Sequence, residues 1–214
     1  MLKTSLSAIV IAMALAATPA LAQAVEAYGD EWYRGTFWSG EYPGGFTVLK
    51  DVTVKLRPEL SPKAQKTIDC PLPAKATYQP WNMERVNAQG LEFVSFTKID
   101  AMKVDKAYEA TLYYEIDGTE KKVKFKPGDK WNYFAYYGEG AFLMEYDGAQ
   151  YTGDQGLEEV STSTTPDDSG YEEWLRINCS NNMWGWLFIG DIVQDDVTYA
   201  GPNIVEYGRS ADLE

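Results

Sequence analysis

A chain of 214 residues with no histidine lacks the side chain most often used as a general base. The Ser-His and Cys-His nucleophile pairs and most zinc sites go with it. Its two cysteines, Cys70 and Cys179, are expected to be bonded or buried, which disfavours a cysteine nucleophile. No Gly-x-x-x-x-Gly-Lys or Gly-x-Gly-x-x-Gly stretch is present to cradle phosphate. The 32 acidic residues leave room for a carboxylate pair that cleaves glycosides, yet no spacing singles one out. What remains is the chemistry of aromatic rings. Trp131, Tyr133, Tyr136 and Tyr137 cluster in one stretch, and Trp174, Trp184 and Trp186 in another. Rings displayed along a groove stack on flat or extended ligands. These seven are the ligand-binding candidates, although several must instead fill a core. The reading is non-enzymatic, with no catalytic residue, no metal site and no cofactor.

The elements that must position these rings are strands. Leu175, Ile177 and Cys179 alternate with Trp174, Arg176 and Asn178, the period of a half-buried strand. Ser180-Asn181-Asn182 predicts the turn after it, because Asn tolerates positive φ and hydrogen-bonds its own backbone. Met183 to Ile189 is a dense apolar return arm interrupted only by Gly185, where a strand can bend or a neighbouring backbone come close. Earlier in the chain, Ala110, Leu112, Tyr114 and Ile116 form one strand face, Asp117-Gly118 a hairpin turn, and Val123 and Phe125 the inward face of the return. Lys122, Lys124 and Lys126 then face outward. They can grip an anionic polymer, but outward lysines also keep an edge strand from pairing with other chains, and the negative total favours that second role. Phe142, Met144 and Tyr146, the Asp147-Gly148 turn and Tyr151 make a further hairpin. Leu91, Phe93 and Ser95 alternate against Glu92, Val94 and Phe96, a strand apolar on both faces. Turn residues recur and no stretch sustains a helical period, so the fold class is all-β.

The hairpin from Trp174 to Ile192, with its Gly185-Trp186-Leu187 and Asp191-Ile192 steps, resembles the end of bacterial Src homology 3-like domains. In that family a Gly-Trp-apolar strand leads into a one-turn helix and a last short strand, which Val197-Thr198-Tyr199 matches here. The run from Val52 to Pro58, the stretch from Leu72 to Tyr78 and the Lys126 to Asp129 turn resemble other parts of the family, without the usual turn glycine in the first half. The resemblance implies small barrels, one elaborated or two in tandem. It also implies recognition of cell-wall peptide (peptidoglycan) or of a partner protein through an aromatic groove.

Residues 1–22 open with Lys3, run through a short apolar core and end Thr18-Pro-Ala-Leu-Ala22, the pattern of a bacterial signal peptide. The expected location is periplasmic or extracellular. The leader holds Lys3 and no acid, so its removal takes the net charge from −13 to −14. Such a chain repels nucleic acid and anionic surfaces and favours a soluble monomer or a basic partner. In an oxidising compartment, two cysteines on apolar strand faces suggest a Cys70–Cys179 disulfide over two separate thiols.

The expected organisation is an aromatic, Gly-rich arm (23–46), a first β unit (47–105) and a second (106–214) that holds the Src homology 3-like ending (174–199). The arm either displays its rings for stacking or tucks them against the barrel, the second being favoured because aromatic residues are more often buried. Residues 152–173 are rich in Ser, Thr, Asp and Glu and contain no Lys or Arg, the composition of a solvated, mobile loop. Asp154, Glu158, Glu159, Asp167, Asp168, Glu172 and Glu173 fall in or beside it, with no spacing of a calcium loop. An alternative function uses the charge directly: an acidic inhibitor or immunity protein that blocks a basic envelope enzyme.

Overall fold

The computed structural model describes residues 28–38, 40–165, 170–192 and 195–214; the expected signal peptide lies outside them. The chain begins with β1 (Trp32–Gly35), β2 (Phe46–Val48), β3 (Val52–Leu56), β4 (Ile68–Leu72) and β5 (Thr77–Tyr78). Helix α1 (Met83–Gln89) leads to β6 (Glu92–Lys98). A long run follows: β7 (Asp100–Val104), β8 (Tyr108–Tyr114), β9 (Glu120–Phe125), β10 (Lys130–Gly138), β11 (Ala141–Tyr146), β12 (Ala149–Asp154), α2 (Gln155–Glu159) and β13 (Ser161–Ser163). The chain then forms β14 (Tyr171–Asn178), β15 (Trp184–Phe188), a one-turn 3-10 helix (Ile189–Asp191), β16 (Tyr199–Ala200), β17 (Ile204–Glu206) and β18 (Arg209–Ser210). The class is all-β, with antiparallel pairing throughout the described ladders.

Two bodies result. In the first, β1, β6, β14 and β15 form a four-stranded sheet, β3 pairs with β4, and β2 lies between β16 and β5. Strand β6 is apolar on both faces because both are covered. Phe93 joins Leu175, Ile177 and Leu187 in one cluster, while Val94 and Phe96 join Trp174 and Trp186 in another. The β3–β4 hairpin meets β15 where Arg57 and Trp186 exchange backbone hydrogen bonds of 2.9 and 2.8 Å. Gly185 permits this approach: a Cβ there would lie 2.7 Å from Leu56 Cβ and 3.0 Å from the Arg57 carbonyl. Arg57 also donates to Asp191 of the 3-10 helix, and Lys66 pairs with the same carboxylate at 2.8 Å. Burial pushes Asp191 up, but Lys66 and Arg57 together outweigh it and hold the carboxyl below its ordinary value.

The second body is inserted between β6 and β14. Its seven strands run in the order β13-β7-β10-β11-β12-β8-β9. Its buried cluster draws only on residues 102–157, among them Val104, Leu112, Phe125, Trp131, Phe142 and Leu157, so the sheet has an apolar core of its own. The Asp147-Gly148 turn has both residues at positive φ, as a tight hairpin requires. Strand β9 is an edge, which fits the lysine ladder's role of guarding against further pairing. Tyr33 of β1 stacks on Phe134 of β10 at 4.6 Å, and Phe37 meets Tyr137 edge-on at 4.7 Å, joining the bodies.

Three expectations need correction. Strand pairing does not follow the division at 105/106: β6 pairs along its length with β14, and β7 belongs to the inserted sheet. A strand apolar on both faces takes a central place, and its neighbours come from both ends of the chain. Residues 152–165 are not a loop. Asp154 caps α2 by accepting from Leu157 N, Leu157 is fully buried, and Ser161 to Ser163 pair with β7. Residues 170–173 belong largely to β14, while Asp167 and Asp168 lie outside the described residues. Ile116 sits in the turn after β8 and is exposed, because the alternation ends with the strand at Tyr114. In the described part of the N-terminal arm, Trp32–Gly35 is strand β1 and Tyr28 stacks on Phe96, so those rings are tucked in, whereas Tyr42 is displayed at 50% exposure.

The disulfide joins Cys70 of β4 to Cys179 after β14, across 109 positions. Among the described residues no helix is long and apolar enough to cross a membrane.

Candidate functional site

The seven aromatic candidates do not share a groove. Trp131, Trp174 and Trp186 are core residues. Trp131 stacks on Phe142 and donates from Nε1 to Ser161 Oγ at 3.1 Å. Trp174 donates to Glu172, and the Arg57 guanidinium lies over its ring at 5.0 Å. Tyr133 packs against the inserted core beside Trp131 and Phe142, and burial pushes its hydroxyl well above the ordinary range. Tyr137 donates to Glu115 at 2.9 Å; burial and that carboxylate raise it too. Tyr136 is partly exposed, its hydroxyl accepting from Gly140 N. Trp184 is on the other body, its ring covered by Arg176 on one side and close to Gly90. The cause is what covers each position: Trp174, Trp184 and Trp186 lie on one face of the β14–β15 pair, where the chain at Arg57 crosses Trp186, while Trp184, opposite Asn178 near the end of the ladder, stays at its margin.

A different place gathers exposed rings. Asn82 caps α1 by accepting from Arg85 N at 3.2 Å, and Gly90 ends the helix at φ 57°, in the left-handed region. This sets Trp81 just ahead of the helix. Across from it the C-terminal hairpin turns at Tyr207-Gly208, with Gly208 at φ 74°. Trp81 meets three rings: Tyr207 at 5.3 Å, Tyr42 at 5.5 Å and Trp38 at 5.7 Å. Trp81 and Trp38 are largely covered, but Tyr42 is 50% and Tyr207 84% exposed. Exposed rings held against a buried tryptophan present stacking faces at little cost in ordering.

Between α1 and the hairpin lies a cavity of about 550 Å³, lined among others by Trp81, Arg85, Tyr207, Arg209, Ser210 and Asp212. Its volume falls within the range of small-ligand sites. Asp212 accepts from Thr77 N at 2.6 Å and pairs with Arg85 at 2.8 Å, which locks the chain's end onto α1. Arg209 pairs with Glu206 at 2.9 Å. The Ser210 hydroxyl is buried without a hydrogen-bond partner among the described residues.

Sequence reasoning missed this site. Asn82 and Gly90 were a legible pair of helix caps, and Tyr207-Gly208 a legible turn. Nothing local brings together Arg85 and Asp212, which are 127 positions apart.

The two adjacent carboxylates of β14 are taken up by different partners. Glu172 accepts from Tyr28 and Trp174, whereas Glu173, on the opposite strand face, accepts from Gly44 N and Tyr171. Burial pushes Glu173 above its ordinary value despite those bonds. Among the described residues no group of three His, Cys, Asp or Glu is arranged to hold a metal. No family model, curated protein or solved structure matches the chain.

Proposed function

We propose that this chain is a secreted or periplasmic binding module that carries out no catalysis itself and holds a cell-envelope ligand, wall polymer or partner protein, at the cleft beside Trp81. The observation that carries the reading is the pair of exposed tyrosines, Tyr42 and Tyr207, held against a covered tryptophan next to a cavity of about 550 Å³. Large exposed rings cost hydrophobic free energy unless a ligand covers them. The disulfide supports an oxidising compartment. The proposed Src homology 3-like character of the first body is supported by the order of β15, a one-turn 3-10 helix and β16, which returns to pair with β2.

The test is retention of the mature protein on insoluble peptidoglycan at low and high salt, compared with a Tyr42→Ala/Tyr207→Ala variant. Retention at both salts, lost in the variant, is the expected result, because stacking is little screened. Equal retention of the variant would remove the cleft from the account. The net charge of −13 favours a second reading, an acidic inhibitor of a basic envelope enzyme. Capture of one basic protein from a periplasmic extract, lost at high salt, would establish that reading instead.

A further inference from the structure

We infer that the ligand of the Trp81 cleft is an uncharged saccharide whose ring stacks on Tyr207 while its hydroxyls bridge the Arg85–Asp212 and Arg209–Glu206 pairs. This rests on the binding reading above and names the ligand class for the same site.

The ionic groups of the lining come as donors beside acceptors. Arg85 is paired with Asp212, and Arg209 with Glu206, all four bordering the cavity. An anionic ligand would satisfy the two arginines but face Glu84, Glu206 and Asp212, a lining that carries three acids against two bases. A cationic ligand meets the converse conflict at the arginines. A proline-rich peptide stacks well on tyrosine, yet proline has no N–H, so such a chain offers carbonyl acceptors and leaves the carboxylates unmatched. A hydroxyl donates and accepts at once, so adjacent hydroxyls of a sugar ring serve an arginine and its carboxylate together without breaking the pair.

Two further observations fit this class. The buried Ser210 hydroxyl has no hydrogen-bond partner among the described residues, and a buried hydroxyl left in that state costs stability that a ligand hydroxyl would restore. Tyr207 stands 84% exposed at the tip of a two-stranded hairpin, with its contact to Trp81 tilted at 58°. The C–H face of a pyranose is drawn to the negative face of such a ring.

The experiment is calorimetric titration of the mature protein with cellotetraose, maltotetraose and tetra-N-acetylchitotetraose, beside tetralysine, a proline-rich decapeptide and peptide-free glycan strands, whose lactyl carboxylates make them the anionic control. Expected is binding of at least one saccharide, with a Kd of roughly 10 μM to 1 mM that is indifferent to salt. It should weaken about tenfold or more in Tyr207→Ala, be largely kept in Tyr207→Phe, and weaken several-fold in Ser210→Ala. Displacement of the free oligosaccharide by insoluble wall polymer would identify the polymer as its source, and no displacement would identify a soluble sugar. If the wild type is retained on peptidoglycan through Tyr207 but binds no saccharide and a peptide competes, the saccharide inference falls and the binding module stands. If Tyr207→Ala changes retention on no polymer and no saccharide binds, both fall.

Discussion

Removing the Cys70–Cys179 bond, through a Cys70→Ala/Cys179→Ala variant, tests how the two bodies share their stability. The bond spans 109 positions, and closing a loop of that length in the unfolded chain is worth about 4.8 kcal/mol in the chain-entropy model. The loop contains the whole inserted sheet. If that sheet stays folded while the first body opens, its residues 100–165 drop out of the flexible loop. About 66 of the 109 positions are then removed, and the remaining 43 or so give about 4.0 kcal/mol. Alanine is the right replacement because both sulfurs lie in the apolar cluster with Leu72 and Ile177, where a serine hydroxyl would add its own penalty of about 1 to 3 kcal/mol. In urea, with a slope of about 2 to 3 kcal/mol per molar, the midpoint should fall by roughly 2 M. Tryptophan fluorescence follows both bodies, through Trp174 and Trp186 in one and Trp131 in the other. The expected trace for the variant has two steps, the first body opening before the insert. A midpoint shift under about 0.5 M, or two free thiols in the denatured, unreduced wild type, would refute the reasoning.

Three other outcomes follow from packing and charge. Gly185→Ala should destabilise by about 1 to 3 kcal/mol, since the added carbon meets Leu56 and the Arg57 backbone; an unchanged thermal midpoint would show that the hairpin does not cross there. Asp191→Asn should cost about 2 kcal/mol near neutral pH by unpairing the largely buried Arg57. Asp191 titrates below its ordinary value when folded, so its contribution is present above the unfolded value and lost as pH falls through the folded one. The gap between variant and wild type should therefore close in acid, and a gap that widens there would contradict the ion-pair account. Glu173 has the opposite sign. Its folded value is raised, so its favourable contribution is full below about pH 4.5, the ordinary value, and is lost as pH rises through the folded value. Glu173→Gln keeps an acceptor for Gly44 without the charge and should gain relative to wild type from acid to neutral pH in thermal melts; a relative loss would count against the burial argument.

What was legible in the sequence was local. The Asp117-Gly118 and Asp147-Gly148 turns, the alternation of Leu175, Ile177 and Cys179, and the role of Gly185 each depend on a few adjacent residues, and the structure places them as read. The pairing of Cys70 with Cys179 followed from count and compartment. Less legible was which strand pairs with which. The two apolar faces of β6 were legible, but nothing near Glu92–Lys98 says that the strand is central or that its neighbours are Trp32–Gly35 and Tyr171–Asn178. The polar stretch 152–165 read as loop because composition outweighed one buried residue, Leu157, and a short edge strand whose Ser161, Thr162 and Ser163 need little apolar surface. The cleft was hidden for the same reason as the insertion. Tyr42, Trp81 and Tyr207 belong to three distant segments, whereas the rings at 131–137 and 174–186 cluster in the sequence but include the buried Trp131, Trp174 and Trp186.

The most direct test of the central claim is hydrogen exchange of the protein with and without soluble wall fragments. Binding at the Trp81 cleft predicts slowed exchange confined to the segment around Tyr42 and to residues 81–85 and 204–212, with residues 131–137 unchanged. Protection at 131–137 that leaves the C-terminal hairpin untouched would contradict it.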